Sequence, residues 1–496
     1  MVLDHIGLSG KVYIINLSFI NSYMDKKCLI QSLAFFILVL WTIDLSAKVS
    51  LPSLLCDNMV IQRDTQVCLW GKSDAKNISV KTSWNDKIYK VDVSENGDFK
   101  VMVDSPSAGG PYNIEFNDGD KLLLNNVMSG EVWICSGQSN MDMPVSGYPG
   151  QPTEGAMEAA IEAKEYPIHL FSVKRELSST PNYQCSGIWE AHSAQAVMHS
   201  SATAYFFAKN LYKYLKVPIG IIVSAWGGTS ILSWMSENSV KSLPSDVVDA
   251  CVKRDSREQN LPGRLYNAMI NPLRNYTARG FIWYQGEHNL QEHLTYDIMM
   301  KTMVDEWRNI WNDKYGLMPF YFVQIAPYRY FNDSNGTQRP LIVEAQKRSL
   351  SIIHNSGMAT TTDIGEEFCI HPAKKPVVGQ RLAVCALNGT YNVKGLCVSD
   401  IKIDKIQYDS DKAVIKFNSD FKSVYPAHIK GFEIAGDDKK FYPAEAVFRK
   451  GTVEVRSDSV KSPKAVRYAF RNYIEANMKN AMGVAASSFR TDNWNN

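Results

Sequence analysis

Four short stretches of the 496-residue sequence carry hydroxyl, glycine, amide and imidazole groups together. They are Ser136-Gly137-Gln138-Ser139-Asn140-Met141, Ser224-Ala225-Trp226-Gly227-Gly228-Thr229-Ser230, Gln285-Gly286-Glu287-His288-Asn289, and Asp363-Ile364-Gly365 with His371-Pro372 eight residues beyond the aspartate. Acyl transfer needs these parts: a nucleophile, a base to take its proton, and donors for the oxyanion of a tetrahedral intermediate. Ser139 lies in a Gly-flanked turn after an apolar run, where a hydroxyl is exposed and can meet the N–H groups at a helix start. Gly227 and Gly228 let the backbone approach closely enough to donate, and Gln285 offers a side-chain amide. The expected oxyanion donors are therefore the backbone of Ser139 and Gly228 with Gln285. Gln138, Asn140, Gly227 and Glu287 are expected to border the substrate. His371 and His288 both qualify as the base. Each has an ordinary reading too: Gly-x-Ser turns are common, and Glu287 could simply hold its loop. Trp226 and Trp234 could stack on a sugar or merely pack, and Lys374-Lys375 reads as a solvated helix start.

Such residues need strands to deliver them. Apolar runs precede each block: Val132-Trp133-Ile134-Cys135, Ile219 to Val223, Gly280 to Tyr284, and Met358 to Thr362, with a further run from Phe320 to Ile325. Helical spacing lies between them, as from Ala202 to Tyr214, and a helix is expected after Pro376. Strands alternating with helices imply an α/β parallel sheet flanked by helices, whose ligands bind beyond the strands' carboxyl ends. Residues 48–128 instead read as short alternating segments with Gly, Asn, Asp and Pro between them, a small antiparallel β module. From about Asp400 period-two alternation returns at Ala413 to Phe417 and Thr452 to Val455. The expected order is an N-terminal β module at 48–128, a catalytic α/β domain at 129–399, and a C-terminal β module at 400–496.

Composition narrows the classes. Hydrophobic residues make up 45% and charged ones 21%, which excludes a disordered or collagen-like chain. Fifty-three Lys and Arg against 51 Asp and Glu leave a net charge of +2, too small a field for nucleic acid or an anionic membrane surface. Nine cysteines show neither a Cys-x-x-Cys pair nor a His partner at zinc spacing, so no metal or other cofactor is expected, and most should be buried small apolar residues. Residues 1–47 read as an upstream extension and a signal peptide starting near Met24: Lys26-Lys27, an apolar run from Leu29 to Ile43, then Leu45-Ser46-Ala47. That run is shorter than the ~20 residues of a spanning helix, so a secreted or periplasmic protein without stable membrane insertion is expected. Nothing in the sequence sets an oligomeric state.

Gly137 to Met141, Trp226 to Thr229, Trp283-Tyr284-Gln285-Gly286-Glu287 and His371-Pro372, in this order, resemble the blocks of sialate O-acetylesterases within the SGNH hydrolase superfamily. The resemblance extends from Asp57 to Arg63, through Val217 to Gly220 and Leu265 to Ile270, to Val466 to Ala469 and Phe489 to Asp492. It implies an SGNH-type fold and metal-free hydrolysis of O-acetyl esters of sialic acids through an acyl-enzyme, with Ser139 as nucleophile and His371 rather than His288 as base. Acetylxylan or another acetylated polysaccharide is the alternative substrate, and a non-catalytic carbohydrate-binding protein the alternative class. One block departs from the superfamily pattern. Its aspartate three residues before the histidine is here Phe368, so the acid is expected at Asp363, with Glu366 or a serine–histidine dyad as alternatives.

Overall fold

Successive residues of one strand enter different cores. Val132 and Ile134 join an apolar cluster with Met299, Met303 and Trp307, whereas Trp133 and Cys135 join another with Phe207, Leu211 and Leu382. A strand covered on both faces has no polar side, which is why these strands read as unbroken apolar runs. The computed structural model describes residues 48–313, 315–396 and 400–494. The segment before Lys48, expected to be an upstream extension and signal peptide, lies outside them.

The sheet uses β1 (Lys121–Gly137), β2 (Ile168–Ser172), β3 (Trp189–Glu190), β4 (Ile219–Ala225), β5 (Gly280–Tyr284), β6 (Phe320–Val323) and β7 (Ser356–Ala359). Their spatial order is β7-β6-β5-β1-β4-β2-β3. All neighbours are parallel except β3, which closes the edge antiparallel to β2. The chief helices are α1 (Ser139–Asp142), α2 (Ala202–Leu215), α3 (Tyr296–Ile310), α4 (Gln338–Ile352) and α5 (Lys375–Gly389). Apolar residues three and four apart put α3 and α4 on one face of the sheet and α2 and α5 on the other. The Ser201 hydroxyl starts α2 by accepting from the Ala204 N–H at 3.1 Å. With β4 and β5 on either side of β1, three carboxyl ends meet at the crevice where an open α/β sheet binds its ligand.

The β modules lean on this sheet. Val60–Gln62 is parallel to Met128–Gly130, where an antiparallel module was expected. The 128/129 boundary falls inside β1, whose first half pairs antiparallel with Gly109–Asn117 and whose second half enters the catalytic sheet. The joint is held by Glu131, fully buried, whose carboxylate accepts from Arg63 Nε at 2.7 Å, Arg279 Nε at 2.8 Å and the Tyr391 hydroxyl at 2.9 Å. The C-terminal module packs a five-stranded and a four-stranded antiparallel sheet around Ile415, Phe432, Val453 and Tyr468. It docks through Arg490 to Glu344 on α4 at 2.9 Å and Lys479 to Asp363 at 2.8 Å.

Removing one partner of a buried charge network leaves the others uncompensated. Glu131→Gln is therefore expected to lower the unfolding free energy by about 3–5 kcal/mol in urea denaturation, a loss an isolated surface carboxylate would not cause.

Candidate active site

Ser139 is the first residue of α1, directly beyond the end of β1. The ladder stays closed up to that point: Gln138 N–H donates to Tyr284 O at 3.0 Å and Trp226 N–H to Gly137 O at 3.1 Å. Gly137 is required there, since a Cβ would lie 2.2 Å from Tyr284 O. Gly227 lies against the serine, for a Cβ on it would come 3.2 Å from Ser139 Cβ. Its N–H serves the Asp142 carboxylate at the end of α1, so Gly228 is the next free backbone position along that loop. Helix starts leave their first N–H groups without intrahelical partners. The Ser139 turn and the Gly227-Gly228 loop therefore form one face.

The opposite wall is a tight turn, Tyr148-Pro149-Gly150-Gln151, in which Tyr148 and Gln151 exchange both backbone hydrogen bonds at 2.9 and 3.0 Å. Pro at the second place and Gly150 at φ +73° at the third are the signature of a type II turn, which sets its end residues side by side. Both reach His371. The Tyr148 ring stands edge-on to the imidazole with centroids 5.2 Å apart, and its hydroxyl lies 3.4 Å from Ser139 O. Gln151 Oε1 is 2.6 Å from His371 Nδ1 and also takes a 3.7 Å contact from Cys369 Sγ. Tyr148 thus touches both the imidazole of His371 and the backbone of Ser139. Burial, and then the charge of Lys375, lower the pKa of His371 to about 4.

Neither expected acid meets the imidazole. Strand β7 ends at Ala359, so Asp363 is four residues further on and turned to the C-terminal module. There it pairs bidentately with Arg381, at 2.7 and 2.9 Å, and with Lys479. Burial acts to raise its carboxyl, but these partners outweigh it and bring the pKa down to about 2. Glu366 accepts the Ala373 N–H at 2.7 Å and shapes the loop after His371. Phe368 is exposed. The ring partner is an amide from a loop that strand-end reasoning passed over; the Pro-Gly turn was the available signal.

Several residues expected at the substrate are buried braces instead. Gln285 is fully buried and donates to Thr229 O at 3.0 Å and Asn289 Oδ1 at 2.7 Å, while its carbonyl takes the Tyr296 hydroxyl at 2.7 Å; its donors do not face Ser139. Gln138 Oε1 accepts from the N–H groups of Gly286 and His288, both at 3.3 Å. Asn140 donates to Glu287 Oε1 at 2.7 Å and Ile370 O at 3.1 Å and accepts from Lys375 Nζ at 2.5 Å. Lys375 is fully buried, not solvated, and its burial lowers its pKa to about 7 against the pull of Glu287. Burial raises the Glu287 carboxyl, whose Oε2 has no hydrogen-bond partner among the described residues. Trp234 is packed against Trp283 and bonded to Thr229, whereas Trp226 is half-buried beneath the Arg175 guanidinium at 5.8 Å. His288, the rival base, lies 3.6 Å from Asp255 beside the Arg257 ion pair.

Among the described residues no group of His, Cys, Asp and Glu could hold a metal ion, and no helix is long and apolar enough to cross a membrane. Seven described cysteines are free, five of them buried.

A six-stranded parallel core covered by helices on both faces, with a serine just beyond a strand's carboxyl end, is the SGNH-type fold of a carbohydrate esterase. The chain belongs to the carbohydrate esterase family described as sialic acid-specific acetylesterase, whose model matches residues 129–388. It is similar over 390 residues to sialate O-acetylesterase of Mus musculus, 28% identical and covering 68% of this chain and 71% of that one. The Homo sapiens sialate O-acetylesterase is 26% identical over 440 residues, 76% of this chain and 78% of that one. A crystal structure of a carbohydrate acetylesterase from Xanthomonas citri superposes with a TM-score of 0.81 at 33% identity, covering 90% of this chain and all of that one. The protein is accordingly a carboxylic ester hydrolase acting on acetylated sugars, which sets aside the non-catalytic alternative.

Asp363 provides a test of its structural placement. Its folded pKa lies below the ~3.9 of an unfolded aspartate, so its contribution to stability is present above about pH 4 and lost as pH falls toward 2. Asp363→Asn should lower the melting temperature at pH 7, with the gap from wild type closing below pH 4.

Proposed function

We propose that the protein is an exported serine esterase that removes O-acetyl groups from sialic acids through an acetyl-enzyme. The observation that carries this reading is the placement of Ser139 under Gly227 and beside Tyr148, the residue that also packs on His371. In the proposed cycle Ser139 Oγ attacks the acetyl carbonyl carbon while His371 Nε2 takes its proton. The backbone N–H groups of Ser139 and Gly228 receive the oxyanion. Collapse expels the sugar oxygen, which takes the proton from the imidazolium, and leaves acetyl-Ser139. A water activated by the same imidazole then releases acetate and restores the serine.

Charge at the rim supports an acidic sugar. Arg175, half-exposed, lies over Trp226 and pairs with Asp142, and the exposed Arg257 reaches Gly228 O at 3.5 Å. Two guanidiniums thus flank the loop facing the nucleophile, each already paired with an aspartate, Asp255 or Asp142, and it is their remaining N–H groups that suit a substrate carboxylate. The relation to an enzyme described simply as a carbohydrate acetylesterase keeps an acetylated polysaccharide, such as xylan, as the second reading. Export rests on the Lys26-Lys27 and Leu29 to Ile43 pattern.

Acetate release from O-acetylated sialic acids, acetylxylan and acetylated pectin decides between the substrates. The sialic acids should give the highest kcat/KM, and a higher value on xylan would overturn the assignment. Ser139→Ala should lose more than about 10³ in kcat on every substrate with its melting temperature unchanged; activity within tenfold of wild type would exclude Ser139 as nucleophile.

A further inference from the structure

We propose that Gln151 is the positioning residue for His371, so that the base works with a neutral amide where serine hydrolases use a carboxylate. This rests on the esterase reading above and concerns how its imidazole is held. Gln151 Oε1, at 2.6 Å, can only accept, so the proton sits on Nδ1 and leaves Nε2 bare to take the Ser139 proton. The amide itself is fixed: its backbone is locked to Tyr148 across the Pro149-Gly150 turn, and the following segment is stitched to the histidine loop by Glu154 N–H donating to Ala373 O at 2.9 Å. An amide oxygen fixes the tautomer as a carboxylate does, but lends the imidazolium no negative charge.

The surroundings do not restore that charge. Of the ionisable groups around His371, Tyr148 from the turn packs on the imidazole, Cys369 from its own loop contacts His371 O and Gln151 Oε1, and Lys375 of α5 acts on the ring by its charge. Asp142 of α1 lies behind the Tyr148 hydroxyl, paired with Arg175, and Glu366 is engaged by the Ala373 N–H. Asp363 is held away by Arg381 and Lys479. His371 therefore stays neutral well below the usual histidine range, and the base remains available in acid.

The test is the pH dependence of kcat/KM on p-nitrophenyl acetate with the full chain, together with a histidine NMR titration of the Ser139→Ala variant, which needs no activity. In the wild type the rate should hold from pH 7 down to about 5 and the imidazole titrate near 4. Gln151→Glu puts a carboxylate on Nδ1 and should raise both the acidic limb and the NMR pKa by about one unit or more. Gln151→Met should lower kcat about tenfold or more with little change in KM or melting temperature. Asp363→Asn and Glu366→Gln should leave the limb in place. The proposal is overturned if Gln151→Glu folds but leaves the NMR pKa and limb unmoved, or if Asp363→Asn moves them. Should wild type and Ser139→Ala hydrolyse equally poorly, the esterase reading fails, while the NMR titration still decides the role of Gln151.

Discussion

The site depends on one buried amide. Asn140, next to Ser139, donates to Glu287 from the β5 loop and to Ile370 O beside His371, and accepts from Lys375 at the start of α5. Two further strand-end loops and a helix start are thereby referred to the residue after Ser139. The bond pattern needs a group that is donor and acceptor at once. An aspartate at 140 could not donate to Glu287, and a leucine would leave a buried ammonium and a carboxylate facing no partner, several kcal/mol of uncompensated desolvation. The polar cluster is costly to bury, and its return is position: attack geometry is lost with displacements of about 1 Å.

The β modules extend that precision outward. Strand β1 begins in the N-terminal module and ends at the turn that carries Ser139, so any shift in its register would move that residue. Glu131, clamped by Arg63, Arg279 and Tyr391, fixes the strand at the joint of the two pairings. On the far side, Asp363 links Arg381 of α5 to Lys479 of the C-terminal module, tying down the helix that carries Lys375. The aspartate expected to orient the histidine instead connects domains, by a pairing too distant in sequence for spacing to reveal.

Strands and helices were legible because burial on both faces leaves an apolar run and helix packing leaves a spacing of three and four. Ala202 to Tyr214 and Gly280 to Tyr284 appear nearly as read. The short β2 was missed, for its Ile168-His169-Leu170-Phe171 run carries a histidine and no chemistry after it. The strand-end positions of Ser139 and Gly227 were legible because backbone position fixes them. Gln138, Asn140 and Gln285 were misjudged because a strand-end location does not say which way an amide points. Lys375 looked solvated because a sequence does not show the carbonyl that receives it. The contact of Gln151 with His371 was missed because Gln151 lies in no strand-end block, although its Pro-Gly turn carries a recognisable pattern.

A neutral partner for the base alters the balance between the two halves of the proposed reaction. Without a carboxylate the imidazolium is a stronger acid, and abstraction of the Ser139 proton is less favourable for the same reason. The first half then depends more on donors to the oxyanion, since the new negative charge is what offsets the new positive one. The second half gains, because a sugar alkoxide is a poor leaving group and a more acidic imidazolium protonates it more readily. An aryl ester, whose leaving group needs no proton, has nothing to gain from that second effect. In the proposed reaction a weakly basic histidine is therefore matched to esters of sugar hydroxyls, whose leaving oxygen must be protonated.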